Sequence, residues 1–415
     1  MSNSSTIPSV TASHPEHQLT WIQQATAEYY RAGIALFLLG FASFSLLYSV
    51  QPLLPEFTRS FQVSPATSSL ALSLTTGFLA VSIVLASAFS QAVGRKGLMF
   101  SSMFIASLCN IGAATLSHWQ SFLFLRGLEG FILGGVPAVA MAWLAEEIDP
   151  KHLGKAMGLY IAGTAFGAMM GRVFIGLVTE LVSWRFALGS LSLLCLIFSL
   201  GFLWLLPPSR HFIKKSGLNL RFHLSAWKSH LKNKQLLRLY SIGFLLTSIF
   251  VTLFNYSTFH LSLAPFWLSQ SQISLIFLVY AFGIVSSSVA GGLSDRLGKR
   301  PLMCSGFILM LLGIFVTLLS SIWGMMLGII LVTTGYFITH SVASGNVGST
   351  APEAKGHAAS LYLLFYYLGS SMMGSFGGWF WLHGGWHAIV ALTALFAVIG
   401  AIITLLPIHS SSSGS

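Results

Sequence analysis

The stretch Gly154-Lys155-Ala156-Met157-Gly158-Leu159-Tyr160 returns 202 residues later as Gly356-His357-Ala358-Ala359-Ser360-Leu361-Tyr362. Three further matches fall at nearly the same shift. Met169-Met170-Gly171 returns as Met372-Met373-Gly374, Gly94-Arg95-Lys96 as Gly298-Lys299-Arg300, and Trp184 as Trp386, at offsets of 202 to 204. A shared offset close to half of the 415 residues marks the chain as a tandem duplication. The repeated unit then decides the fold.

That unit is apolar. The chain carries 21 Lys+Arg and 10 Asp+Glu, so 7% of its residues are charged where a soluble domain has about 25%. Its hydrophobic fraction is 54% and its mean hydropathy +0.78, more apolar surface than a water-soluble core of this size can hide. An ordinary soluble enzyme is excluded. Segments long enough to cross a hydrocarbon core, roughly 20 residues each, number twelve: six between Ala32 and Leu206, and six between Leu239 and Leu406. Because six is even, the two copies have the same orientation. The expected fold is all-α and integral to the membrane, with twelve transmembrane helices in two parallel six-helix repeats that rock about a site between them.

Charge placement sets the orientation. With the amino terminus in the cytoplasm, 17 of the 21 Lys/Arg fall on the cytoplasmic side, eight of them in the central connection, and only Arg59 and Arg185 fall outside. The expected location is the cell (inner, cytoplasmic) membrane, multi-pass, with both termini cytoplasmic. The net charge of +11 therefore records topology and gives no reason to expect a nucleic-acid partner. The expected organisation is a disordered tail over 1–30, a first half over 31–206, a basic linker over 207–238, a second half over 239–407 and a short tail over 408–415. The linker has partial helical spacing of Leu218, Phe222, Leu224, Trp227 and Leu231, which suggests an amphipathic helix on the anionic leaflet. Cys109, Cys195 and Cys304 lie in apolar runs without metal or redox spacing.

Several motifs resemble those of the major facilitator superfamily. Gly291-Gly292-Leu293-Ser294-Asp295-Arg296-Leu297-Gly298-Lys299-Arg300 resembles its signature loop between spans eight and nine, with a degraded first-half copy from Ser87 to Lys96 in which Gln91 replaces the acid. Leu125-Arg126-Gly127-Leu128-Glu129-Gly130 is similar to its proton-linked arginine motif. Tyr48-Ser49-Val50-Gln51-Pro52-Leu53-Leu54-Pro55 and the glycines Gly163, Gly167 and Gly171 resemble features of drug/proton antiporters. Gly171-Arg172, in place of the usual Gly-Pro, resembles the acriflavine-sensitivity branch. The resemblance covers Arg31 to Leu406 and implies the major facilitator fold, alternating access and proton-coupled efflux of amphipathic small molecules.

The residues themselves suggest roles. Arg126 and Arg172 are guanidinium groups inside apolar spans, where a charge is costly unless it faces the protein interior and is functional by default. Glu129 follows Arg126 at i+3 and is the carboxylate placed deepest in any span. Burial favours its neutral form and Arg126 its charged form, so Glu129 and Arg126 are the proton-coupling candidates. Arg172 is a substrate-binding candidate. Two arginines against one glutamate leave room for an anionic group, and the alternative function is export or import of a specific anionic metabolite held by Arg126 and Arg172. Gln51, Asn255, Tyr256, Tyr336, His340, Tyr362 and Tyr366 complete the candidate lining, since tyrosine pairs a flat apolar face with one hydroxyl.

Gating is assigned to Asp295, Arg296, Gly298, Arg300, Gly94 and Arg95. Asp295 is expected to face the amino terminus of span five at Gly154-Lys155, closing the cytoplasmic side. The glycine-rich faces of spans five and eleven are expected to pack against one another across the half interface. No cofactor and no metal are expected. The expected partners are a small-molecule substrate, protons and membrane lipids, and the expected state is a monomer. A membrane-embedded enzyme is the less favoured class, since HExxH, GxSxG and P-loop signatures are missing from the sequence.

Overall fold

The computed structural model describes residues 21–212, 220–351 and 353–406, apart from the side chains of 87–93, 220 and 295. Fifteen helices account for the described residues. In the first half they are α1 Ala27–Tyr48, α2 Leu54–Ser60, α3 Pro65–Val93, α4 Arg95–Thr115, α5 Trp119–Leu133, α6 Pro137–Glu147, α7 Leu153–Leu181 and α8 Trp184–Leu205. Then come α9 Leu220–Lys232, α10 Lys234–Ser262, α11 Gln270–Leu275, α12 Tyr280–Leu297, α13 Lys299–Val316, α14 Ile322–Thr350 and α15 Lys355–Leu405.

They form twelve crossings. α1 runs through a tight turn at Gln51–Leu53 into α2, α5 into α6, and α11 through Ile276–Val279 into α12. α15, although 51 residues long, is two crossings, because Gly385 turns the chain with φ 56° and ψ −144°, a conformation open mainly to glycine. Among the described residues eleven helical stretches are long and apolar enough to span a membrane, α15 counted as one. Caps start them: Ser64, Ser183 and Ser269 accept backbone N–H groups of Thr67, Phe186 and Gln272. Pro52, Pro55 and Pro137 occupy first turns, where a missing N–H is tolerated. An even number of crossings brings residues 21 and 406 to one end of the bundle, here the termini end; the opposite end is the far end.

Within each half, glycine lets helices approach. A β-carbon at Gly167 would lie 2.2 Å from the Phe41 carbonyl oxygen, and one at Gly163 2.5 Å from that of Phe37, so the stripe of α7 packs on α1. In the second half Gly369 of α15 stands in the same relation, 2.3 Å, to Phe244 of α10. This corrects the expected pairing of spans five and eleven. A small-residue stripe shows that a helix is closely approached and leaves open by which neighbour.

The halves instead meet through α3 with α15 and α7 with α11. Ser371 Oγ donates to the Ser73 carbonyl at 2.7 Å, the hydroxyls of Ser69 and Ser375 lie 3.4 Å apart, and those of Thr76 and Ser370 also 3.4 Å. On the other side the Ser271 N–H donates to Glu180 at 2.7 Å and Gln270 to the Pro52 carbonyl at 2.5 Å. The cross-half bonds of α7 with α11 belong to the far end. At the termini end, a β-carbon added at Gly154 or Gly158 of α7, Gly291 or Gly292 of α12 or Gly356 of α15 would meet no atom of the described residues within 4 Å.

The termini end has its own organiser. Buried Glu147, at the end of α6, accepts from the N–H groups of Arg210 at 2.9 Å and His211 at 3.0 Å, while its carbonyl accepts from Ile22 at 2.9 Å. Trp21 stacks on His211 and Arg210 pairs with Glu28. The tail expected to lack structure through residue 30 is thus built in from residue 21, because Ile22 exchanges backbone bonds with Glu147 and Asp149 and Trp21 covers His211, while the linker's Arg210 and His211 satisfy a carboxylate that would otherwise be buried alone. The linker supplies a helix as expected: α9 exposes Phe222, Leu224 and Leu231, and turns His223 to His357 of α15, 2.8 Å away. Residues 213–219, with Leu218, lie outside the described residues.

Candidate functional site

Arg126 and Glu129 form a pair closed off from solvent, both 0% exposed, with Nη1 to Oε2 at 2.5 Å. The carbonyls of a last helical turn lack partners further along the helix, and Arg126 supplies one: Nη2 donates to Leu47 at 3.1 Å at the end of α1. Nη1 also reaches Asn110 Oδ1 of α4 at 3.3 Å, and Nε reaches the Ala71 carbonyl of α3 at 3.3 Å. Four helices therefore meet on one guanidinium. It is fully engaged, whereas Glu129 Oε1 has no hydrogen-bond partner among the described residues.

Arg172 is fully buried in α7 and points at the second half. Its Nε donates to Gln51 Oε1 at 2.7 Å and its Nη1 to the carbonyl of Ala168, in its own helix, at 2.5 Å. Nη2 makes no well-formed hydrogen bond and has Tyr280 beside it. Three rings surround the group: Tyr48 at 4.3 Å, and Phe277 and Tyr280 at 4.9 Å each from the guanidinium carbon to the ring centre. Among the described residues no carboxylate pairs with it.

Gln51 carries the contact across the interface. Its Nε2 donates to Asn255 Oδ1 of α10 at 2.8 Å, and the two residues are 204 apart. That is the repeat offset of the glycine-arginine-lysine match. Residues equivalent by pseudo-symmetry can touch only beside the pseudo-twofold axis, so Gln51 and Asn255 mark that axis. Arg172 stands next to it.

An aromatic wall continues from there into the second half. The hydroxyls of Tyr336 and Tyr366 are hydrogen-bonded, His340 Nδ1 lies 3.0 Å from the Tyr362 hydroxyl, and Phe250 stacks on Tyr336 at 3.9 Å between ring centres. Phe254 stacks on Phe277, edge-on to Tyr280. Tyr336, His340, Tyr362 and Tyr366 are thus brought together. Tyr256 is not: it donates to the Gly374 carbonyl at 2.8 Å and stacks near Trp381, so it fastens α10 to α15. Being a tyrosine did not tell which face of the span it occupies. Conversely Tyr48, Phe250, Phe254, Phe277 and Tyr280 were missed, since an aromatic ring in an apolar run looks like packing; the 204-residue relation of Gln51 to Asn255 was the available signal.

The gating candidates fall into pairs around two equivalent glycines, Gly94 with φ 96° and Gly298 with φ 83°. After the first, Arg95 is buried and holds Glu146 of α6 through two nitrogens. After the second, Lys299 donates to Asn346 at 2.9 Å and to Ser349 at 3.2 Å at the end of α14. Arg296 and Arg300 are exposed. The side chains of Asp295 and Gln91 lie outside the described residues.

The sequence model of the Major Facilitator Superfamily matches residues 36–268 and again 258–414. The chain belongs to the Major Facilitator Superfamily. It is 39% identical over 408 residues to the inner membrane transport protein YnfM of Escherichia coli, covering 97% of this chain and 98% of that one. It is 41% identical over 387 residues to an uncharacterized MFS-type transporter, YybF, of Bacillus subtilis, covering 92% and 94%. Among solved structures, a bacterial homolog of the human lysosomal transporter Spinster, in an inward-facing and unoccupied conformation, superposes with a TM-score of 0.75 at 15% identity, over 91% of this chain and 96% of that one. The fold is thus the superfamily's, and the chain is a multi-pass membrane transporter.

Proposed function

We propose that this superfamily member is a secondary active transporter that exports small amphipathic molecules in exchange for protons, by alternating access between its halves. The observation that carries the reading is the Arg126–Glu129 pair, fully buried, with Glu129 Oε1 lacking a donor. A charged carboxylate left partly unsatisfied in a dry site costs on the order of 1–3 kcal/mol. Protonation at Oε1 removes the unsatisfied negative charge and takes the counter-charge from Arg126, whose bonds to Leu47, Ala71 and Asn110 remain to hold it; the two costs offset, so neither form is strongly favoured. The carboxyl can therefore change charge without dismantling the four-helix junction.

The far end holds the cross-half bonds of α7 with α11, and among the described residues no hydrogen bond joins α7 to α12 at the termini end. With both termini in the cytoplasm, as 17 of 21 basic residues suggest, this is the cytoplasm-facing state. Loading from the cytoplasm, rocking, and exchange for an external proton taken by Glu129 then follow in order. Arg95 with Glu146 and Lys299 with Asn346 brace the two short loops on which rocking acts.

Everted membrane vesicles with an acid lumen test this. Ethidium, chloramphenicol and benzenesulfonate serve as cationic, neutral and anionic amphipathic probes. At least one accumulates against its gradient, and nigericin abolishes the accumulation. Glu129→Gln retains exchange down a gradient and loses accumulation. Transport of none of the three, or undiminished accumulation by Glu129→Gln, contradicts the reading.

A further inference from the structure

We infer that the substrate is an organic anion with an aromatic or bulky apolar body, whose acidic group takes the place of Gln51 on Arg172. The inference rests on the transporter reading above and narrows its substrate class. It begins from an imbalance. Of the two arginines with no solvent exposure, Arg126 is neutralised by Glu129 and engaged with carbonyls of α1 and α3, whereas Arg172 has only neutral partners, the Gln51 amide, a carbonyl of its own helix and the neighbouring Tyr280. A buried guanidinium without a counter-charge is costly, and a carboxylate or sulfonate supplies that charge and can accept two parallel N–H bonds, where the Gln51 amide oxygen supplies neither.

Position supports the same conclusion. The Gln51–Asn255 bond lies beside the pseudo-twofold axis, where a site shared by two rocking halves must be, and Arg172 is bonded to that pair. Its remaining surroundings are rings of both halves: Tyr48 from the first, Phe277 and Tyr280 from the second. Rings offer nothing to a small inorganic anion and much to a flat apolar body. The guanidinium repels a cationic head group, and no carboxylate among the described residues faces Arg172 to offset that. One cation matches one negative charge, so the class is a monoanion.

A consequence follows for opening. Gln51 holds Arg172 with its oxygen and Asn255 with its nitrogen. An anion that displaces the oxygen also frees the residue that ties α10 to the end of α1. Substrate binding therefore removes one of the two bonds that hold Gln51 and loosens this cross-half tie.

The test uses the purified full-length protein in lipid nanodiscs, with benzoate, benzamide and benzylamine as isosteric probes, read by isothermal titration. Wild type prefers benzoate at least tenfold over the other two. Arg172→Gln removes the preference and Arg172→Lys keeps part of it. Gln51→Ala, which leaves the guanidinium in place, tightens benzoate a few-fold by removing its competitor; a merely structural Gln51 would leave affinity unchanged or weaken it. The inference is overturned if benzamide binds as well as benzoate, if none of the three binds, if Arg172→Gln keeps the preference, or if Gln51→Ala weakens benzoate. No pH gradient is present, so a failure of proton coupling leaves this reading intact, and the reverse also holds.

Discussion

At the scale of single residues, the two arginines inside the spans of the first half, Arg126 and Arg172, are alike in sequence and opposite in structure. Arg126 is a junction and Arg172 an exposed need in a buried place. The distinction predicts a stability pattern. Arg126→Leu leaves Glu129 buried and unpaired, and Glu129→Leu leaves the guanidinium so, each at a cost of about 3–5 kcal/mol. The double variant Arg126→Leu/Glu129→Leu removes both charges and unfolds at a higher temperature than either single variant, read by thermal unfolding in detergent. A double variant no better than the worse single one shows that the bonds to Leu47, Ala71 and Asn110 matter more than the charges. Arg126 and Glu129 were legible because a charge inside an apolar run has few innocent explanations. Arg172's setting was not, because Tyr48, Phe277 and Tyr280 are common in any span and acquire a role only when three helices place them around one guanidinium.

At the scale of helices, the glycines of α7 were legible as a close-packing stripe, and their partner was not. Spacing reports a face of a helix, while the neighbour is chosen by the arrangement of all twelve crossings. The structure places α1 there, with the Phe41 carbonyl 2.2 Å from where a β-carbon of residue 167 would lie. Gly167→Ala therefore forces α7 and α1 apart and lowers the unfolding temperature. Gly158→Ala, in open space on the same helix, leaves it unchanged or raises it slightly through helix propensity. Equal effects of the two substitutions, measured by thermal unfolding, would contradict the packing described. The break at Gly385 is a case in which composition was enough, since polar punctuation already separated the last two crossings.

At the scale of the molecule, the duplication visible in Gly154–Tyr160 and Gly356–Tyr362 becomes a pseudo-twofold axis with Gln51 and Asn255 beside it. The fold and its twelve crossings were legible because hydropathy and repeat offset act over the whole chain. The cross-half contacts depend on which face of each helix turns inward, which no single segment records. If the halves part between α3 and α15 in each cycle, a bridge there stops transport. Ser69→Cys/Ser375→Cys, whose serine hydroxyls lie 3.4 Å apart, cross-links on oxidation and halts accumulation in vesicles, and reductant restores it. Either cysteine alone has no such effect.

The central claim is that Glu129 exchanges its proton for substrate. It is tested most directly by proton release from the purified protein in weakly buffered solution on adding benzenesulfonate, which stays ionised and contributes no proton itself. The account predicts release by wild type that fades as the solution is made more alkaline and Glu129 starts out deprotonated, and no release by Glu129→Gln although it still binds the probe. Binding by wild type without release at any pH, or equal release by Glu129→Gln, would contradict it.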